Sequence, residues 1–138
     1  MLINAGTNNA IQSRDLPVIR QQMDHLLDGL YEKIPGTTVL LSTLLQNINT
    51  TNAQNNTDSI NEQYRDIVTT RSGDNQRIVL AEMAGALPWS QMNVDDHTHP
   101  TDEGYVTMSQ VWWKAFQEAE SRQFLQRPKF SVNDTVCP

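Results

Sequence analysis

Three short runs of apolar and β-branched residues, each followed by a long amphipathic stretch, set the tightest limit on how this chain can fold. Leu2 to Asn4 reads as the end of a buried strand. Thr37 to Leu41 and Arg77 to Ala81 read as strands, the second centred on Ile78-Val79-Leu80. Apolar residues recur between them at helical spacing. The first such set is Ile19, Met23, Leu26, Leu27, Leu30 and Ile34, and the second is Ile60, Tyr64, Ile67 and Val68. Tyr105, Met108, Trp112, Phe116 and Ala119 form a third, a methionine and aromatic stripe that reads as core. Strand and helix in alternation build a parallel sheet with right-handed crossovers, so the predicted class is α/β.

Local signals place the element ends. A glycine turn at Gly6-Thr7-Asn8-Asn9 follows the first strand. Asp15 reads as an N-cap with Pro17 tolerated in the first turn, opening a helix of about five turns that Pro35-Gly36 stops. His25 falls on that helix between Asp24 and Asp28 and is expected on the surface. From Gln46 to Thr57 the chain is almost wholly Asn, Thr and Gln, and is predicted to be a loop. Thr57 or Asp58 then caps a helix that ends at Gly73. Residues 1–127 read as part of one domain and 128–138 as an irregular tail, with no internal repeat and no linker. The strand-like start suggests a chain that begins within a domain.

The net charge of −6 argues against nucleic acid as a partner, which calls for a basic face. No apolar run approaches the length of a membrane span, and no signal-peptide pattern follows Met1. Cys137 is the single cysteine, so an internal disulfide is excluded. Asn-x-Thr sequons begin at Asn49, Asn55 and Asn133 and point modestly toward secretion.

Asp95 to Tyr105 is the stretch richest in chemistry. Asp96 precedes His99 by three residues, a spacing at which a carboxylate can orient an imidazole and stabilise its protonated form. Thr101 is a plausible N-cap for the last helix, with Asp102 and Glu103 in its first turn. In parallel sheets ligands bind at the carboxyl ends of strands. The Gly6–Asn9 turn follows the first strand and the His99 loop follows the third, so both are predicted on one rim, with Asn8 and His99 in reach of each other.

These residues carry a resemblance. Ala5-Gly6-Thr7-Asn8-Asn9 resembles the Gly-x-Asn-Asp block of the SGNH (GDSL-type) hydrolases. Asp96-His97-Thr98-His99-Pro100 resembles their Asp-x-x-His-Pro block, continued by Thr-x-x-Gly-Tyr. The two occur in family order, about ninety residues apart, with two βα units between. The resemblance implies a three-layer, parallel-sheet, flavodoxin-like fold, incomplete at its N-terminus. It also implies a secreted ester hydrolase without a cofactor, similar to the family's carbohydrate esterases, acting on acylated carbohydrate or lipid. Asn8 then matches the oxyanion-hole asparagine, His99 the general base and Asp96 its orienting acid. Asn9 stands where the family usually has Asp.

The family's Gly-Asp-Ser block is not in the chain. None of the eight serines lies in such a block or in a Gly-x-Ser-x-Gly elbow, and Ser72-Gly73-Asp74 carries the letters in the wrong order. The expectation is therefore a Ser-His-Asp triad whose serine lies outside these residues, leaving the chain inactive by itself. Two other readings stay open. One is a metal site on His97 and His99, alternating in an extended segment, with Asp95 or Asp102 as a third ligand. The other is a non-catalytic remnant in which the Asn-rich loop and Trp89 bind sugar or a partner chain.

Overall fold

The structure is a computed structural model that describes residues 1–126; Arg127, Asn133, Cys137 and the 128–138 tail lie outside the described residues. Strand β1 (Leu2–Ile3) leads into helix α1 (Thr7–Gln12), a 3-10 turn (Leu16–Val18) and helix α2 (Ile19–Lys33). Strand β2 (Val39–Ser42), helix α3 (Ala53–Gly73) and strand β3 (Ile78–Ala81) follow. A second 3-10 turn (Trp89–Gln91) precedes helix α4 (Asp102–Ser121). The sheet is parallel in the order β1-β2-β3, with Leu2 opposite Leu40 and Leu40 opposite Val79.

Each strand sends alternate residues to opposite faces. Ile3, Val39, Leu41 and Ile78 join Met23 and Leu27 of α2 and Ile60, Tyr64 and Ile67 of α3 in one core. Leu40, Val79 and Ala81 meet Ala115 and Ala119 of α4 in the other. The result is the expected helix, sheet, helix sandwich. Each fully buried Leu or Ile here contributes roughly 1.5–3 kcal/mol.

Several element ends depart from expectation. The turn after β1 is already helical from Thr7, with Gly6 in the left-handed region at φ 115°. Asp15 caps nothing with its side chain, and the chain passes through the 3-10 turn before α2 begins at Ile19. Leu26 and Ile34 are exposed, because Leu26 lies at the flank of the buried stripe and Ile34 lies past the last helical turn. Helix α3 starts at Ala53, five residues before Asp58 and inside the predicted loop. Its added turns bury Ala53 and Thr57, and its stripe runs on through a buried Asn61. Polar residues that serve a core hide a helix from an apolar pattern.

The aromatic stripe of α4 is the clearest correction. Tyr105 is 51% exposed and Phe116 38%, while Gly104, Ala115 and Ala119 are the buried positions. Trp112 and Met108 pack at the edge of the α4 core, and Trp113 stacks on Phe116 at the surface. Small residues face the sheet because they let the helix approach closely, which turns the aromatic flank outward. His25 is exposed, as expected. Among the described residues no helix is long and apolar enough to cross a membrane.

Candidate active site

Three loops leave the carboxyl ends of the three strands and enclose a cleft of about 720 Å³. Asn8 comes from the arm after β1, Asn47 and Asn49 from the loop after β2, and Asp96, Thr98 and His99 from the loop after β3. Ile11, Leu45, Pro100, Tyr105 and Met108 supply its apolar lining. Strand direction alone accounts for the convergence, since every carboxyl end of a parallel sheet points the same way.

The histidine loop is fixed largely by Asp96. One carboxylate oxygen, Oδ1, accepts from the backbone N–H groups of Thr98 and His99 at 2.8 and 2.9 Å. The other, Oδ2, lies 2.8 Å from His99 Nδ1. The two backbone bonds fold the loop as an Asx-type turn, and that turn delivers the His99 ring to the same carboxylate. The His99 backbone N–H, the His99 ring and the Thr98 N–H together hold the Asp96 carboxyl down at about 2. Asp96 is therefore ionised across the working pH range, and it fixes the neutral His99 ring with its proton on Nδ1. Nε2 is left as the acceptor, the arrangement that a general base requires.

Helix α4 carries the loop into place. Thr101 Oγ1 accepts from Gly104 N at 3.3 Å, the expected N-cap, with Asp102 and Glu103 in the first turn. Gly104 has no room for a side chain. A Cβ there would lie 2.7 Å from Pro100 Cβ and would press on the Gln91 carbonyl. Met92 bridges to Pro100, so the residues on either side of the turn are tied together.

The arm after β1 is held through its backbone. The Tyr64 hydroxyl donates to the Ala5 carbonyl at 3.0 Å, and burial pushes its pKa up to about 12. Gly6 is needed both for its φ of 115° and because a Cβ would sit 3.1 Å from that hydroxyl. Asn9 donates from its amide to Arg14 O at 3.2 Å, so the departure from Asp at this position still supports the local turn. Asn56 Nδ2 reaches across to Ala10 O at 2.8 Å. The Asn8 side chain lines the cleft and is exposed.

Not every predicted residue reaches the cleft. Trp89 is 48% exposed and does not line the cleft. His97 is exposed and left-handed at φ 53°, in a turn rather than the extended segment that would align two imidazoles. Among the described residues no three His, Cys, Asp or Glu side chains gather as a metal site. Asn49 and Asn55 are exposed, Asn55 within the first turn of α3. Asn4 and Tyr105 line the cleft without having been marked by the sequence, and Asn47 and Asn49 line it from the Asn-rich loop that the sequence offered only as a sugar- or partner-binding segment. The loop after β2 sits on the same rim as the other two, so the topological argument could have found two of them.

The profile of the GDSL-like lipase/acylhydrolase family matches residues 1–106. No curated protein sequence matches the chain. Among solved structures, the chain is similar to a serine-to-alanine mutant of an acetyl esterase crystallised with an acetate ion. That likeness has a TM-score of 0.71 at 17% identity, over 88% of this chain and 58% of the other. It is also similar to a carbohydrate esterase of family 3 from Talaromyces cellulolyticus, with a TM-score of 0.69 at 14% identity, over 87% and 57%. At these identities the likeness is one of fold, and the chain spans less than two thirds of the length of either structure.

Proposed function

The chain belongs to the GDSL-like lipase/acylhydrolase family of SGNH esterases, and from that premise we propose that its cleft serves the hydrolysis of acyl esters on carbohydrate. His99 is the general base and Asp96 the acid that orients it. Asn8 donates its amide to the oxyanion of the tetrahedral intermediate. The nucleophilic serine comes from outside these residues, and without it the chain has no ester turnover of its own. An acylated sugar is preferred to a lipid ester because of the cleft wall. Five asparagines line it, and its ionisable lining groups are limited to Asp96, His99 and Tyr105. Neutral amides match hydroxyl groups better than they match an acyl chain. An extracellular setting fits the sequons at Asn49 and Asn55.

One observation carries the reading: Asn8 and the Asp96–His99 pair, some ninety residues apart in sequence, converge on a single cleft. In the reaction, the serine hydroxyl would give its proton to His99 Nε2 as its oxygen attacks the ester carbonyl. His99 would then return that proton to the departing alcohol, while Asp96 stabilises the imidazolium.

The test is a pair of assays on acetylated sugars. The purified 138-residue chain is expected to show no turnover that depends on His99. A longer translation product containing an upstream Gly-Asp-Ser block is expected to be an esterase that His99→Ala inactivates by roughly a thousandfold or more. Robust turnover by the short chain, abolished by His99→Ala, would overturn the external serine. An inactive longer product that still binds sugar would replace hydrolysis with binding.

A further inference from the structure

The loop after β2, residues 43–52, reaches across the rim and bonds to the histidine loop from the side. Asn47 is 1% exposed and uses both ends of its side-chain amide. Its Nδ2 donates to Thr98 Oγ1 at 3.2 Å, and its Oδ1 accepts from the Asn49 N–H at 2.9 Å. Thr98 Oγ1 in turn donates to the Asp96 carbonyl at 3.0 Å. Asn49 Nδ2 donates to that same carbonyl at 2.9 Å. The Ile48 N–H points at the His97 carbonyl at 3.4 Å. Two donors from two different loops thus close on one backbone oxygen, that of the residue whose carboxylate holds His99.

The loop that does this is itself anchored. Asn61, buried in α3, accepts from the Leu44 N–H at 2.6 Å and donates to the Leu44 carbonyl at 3.1 Å. Gln54 in the first turn of α3 accepts from the Asn47 N–H at 2.8 Å. A rigid support therefore runs from α3 through Asn47 and Asn49 to the Asp96 backbone. On the outer side of the histidine loop, Val94, Asp95 and His97 are exposed.

We infer that Asn47 and Asn49, acting through Thr98 and the Asp96 carbonyl, are positioning residues that hold the Asp96–His99 pair in its working geometry over the cleft. They touch the pair only through its backbone and the Thr98 hydroxyl, so their part is orientation and not proton transfer. The inference rests on the reading of Asp96 and His99 as orienting acid and base. It also gives the Asn49 sequon a second meaning, because the nitrogen that would carry a glycan already donates to Asp96.

The test follows the Asp96 carboxyl by carbon NMR as the folded chain is acidified, which needs no substrate and no serine. In the unsubstituted chain the midpoint is expected at about 2. In Asn49→Ala, and more so in Asn47→Ala/Asn49→Ala, it is expected to rise by roughly half a unit to one unit, a three- to tenfold gain in proton affinity. Thr98→Val, which keeps the shape and loses the hydroxyl, is expected to behave like Asn49→Ala, while Thr98→Ser restores the low midpoint. Asn52→Ala, in the same loop without a side-chain bond, serves as the control.

Folded variants that all keep the low midpoint would overturn the inference and leave the catalytic pair standing. An ordinary midpoint in the unsubstituted chain would remove the pair itself, and both readings with it. Equal effects of Thr98→Val and Thr98→Ser would reduce the support to packing and overturn the positioning role.

Discussion

The two arms that meet at the cleft are held in opposite ways. On the histidine arm the candidate side chains are themselves tied down: three hydrogen bonds end on the Asp96 carboxylate and two on its carbonyl. On the arm after β1 the backbone is tied down, through Tyr64, Asn9 and Asn56, while the Asn8 amide has no hydrogen-bond partner among the described residues. The difference follows from what each arm is proposed to do. A base must hold one ring orientation and one tautomer before substrate arrives. An oxyanion donor must keep its N–H unspent until charge develops. Preorganisation therefore means a bonded side chain on one arm and an unbonded one on the other.

The largest break in this comparison is expected from Gly104→Ala. The new methyl group meets Pro100 Cβ and the Gln91 carbonyl, so α4 must back away from the turn it carries. Overpacking against backbone costs about 3 kcal/mol. Urea denaturation should register that loss, and the His99 ring signals should broaden while those near Asn8 stay sharp.

Tyr64→Phe strikes the other arm. It removes the donor to the Ala5 carbonyl in a buried setting, an expected loss of about 1–2 kcal/mol. Amide exchange at Ala10, whose N–H bonds to Gly6 O, should quicken, and the Asp96 titration should not move.

A smaller effect concerns pH. The Asp96 carboxyl is depressed from 3.8 to about 2 in the folded chain. A depressed carboxyl contributes stability that is fully present above its unfolded pKa and is lost as pH falls through its folded one. That contribution is thus expected to vanish between about 4 and about 2, and Asp96→Asn should flatten this part of the stability profile. Urea midpoints for the two proteins, compared above and within the window, decide it.

Asn8→Ala should change least. With no bond to lose, its stability is expected to stay within about 0.5 kcal/mol of the parent in the same urea experiment. A larger loss would mean that the amide is structural, and the contrast between the arms would disappear.

The sequence foretold which residues share the cleft better than it foretold the element ends. Asn8, Asp96 and His99 were legible because their motifs are local and topology fixes the rim they share. Thr101 as N-cap was legible for the same reason, its bond to Gly104 spanning three residues. The early start of α3 was not, because its buried stripe includes the polar Thr57 and Asn61, which an apolar pattern does not register. The part that the Asn-rich loop plays at the cleft was hidden for a related reason. Its amides are spent on Thr98 and Asp96, about fifty residues away.

The sequence by itself determined the α/β class, the parallel sheet, the shared rim and the spacing at which Asp96 can meet His99. Each of these follows from periodicity, chain order or a bond between near neighbours. Only the tertiary structure decided which way the α4 aromatics face, that Trp89 stands apart from the cleft and that Asn47 and Asn49 brace the histidine loop. Those outcomes depend on the distance of closest approach between helix and sheet and on amide bonds between segments remote in the chain, and neither leaves a periodic trace in the sequence.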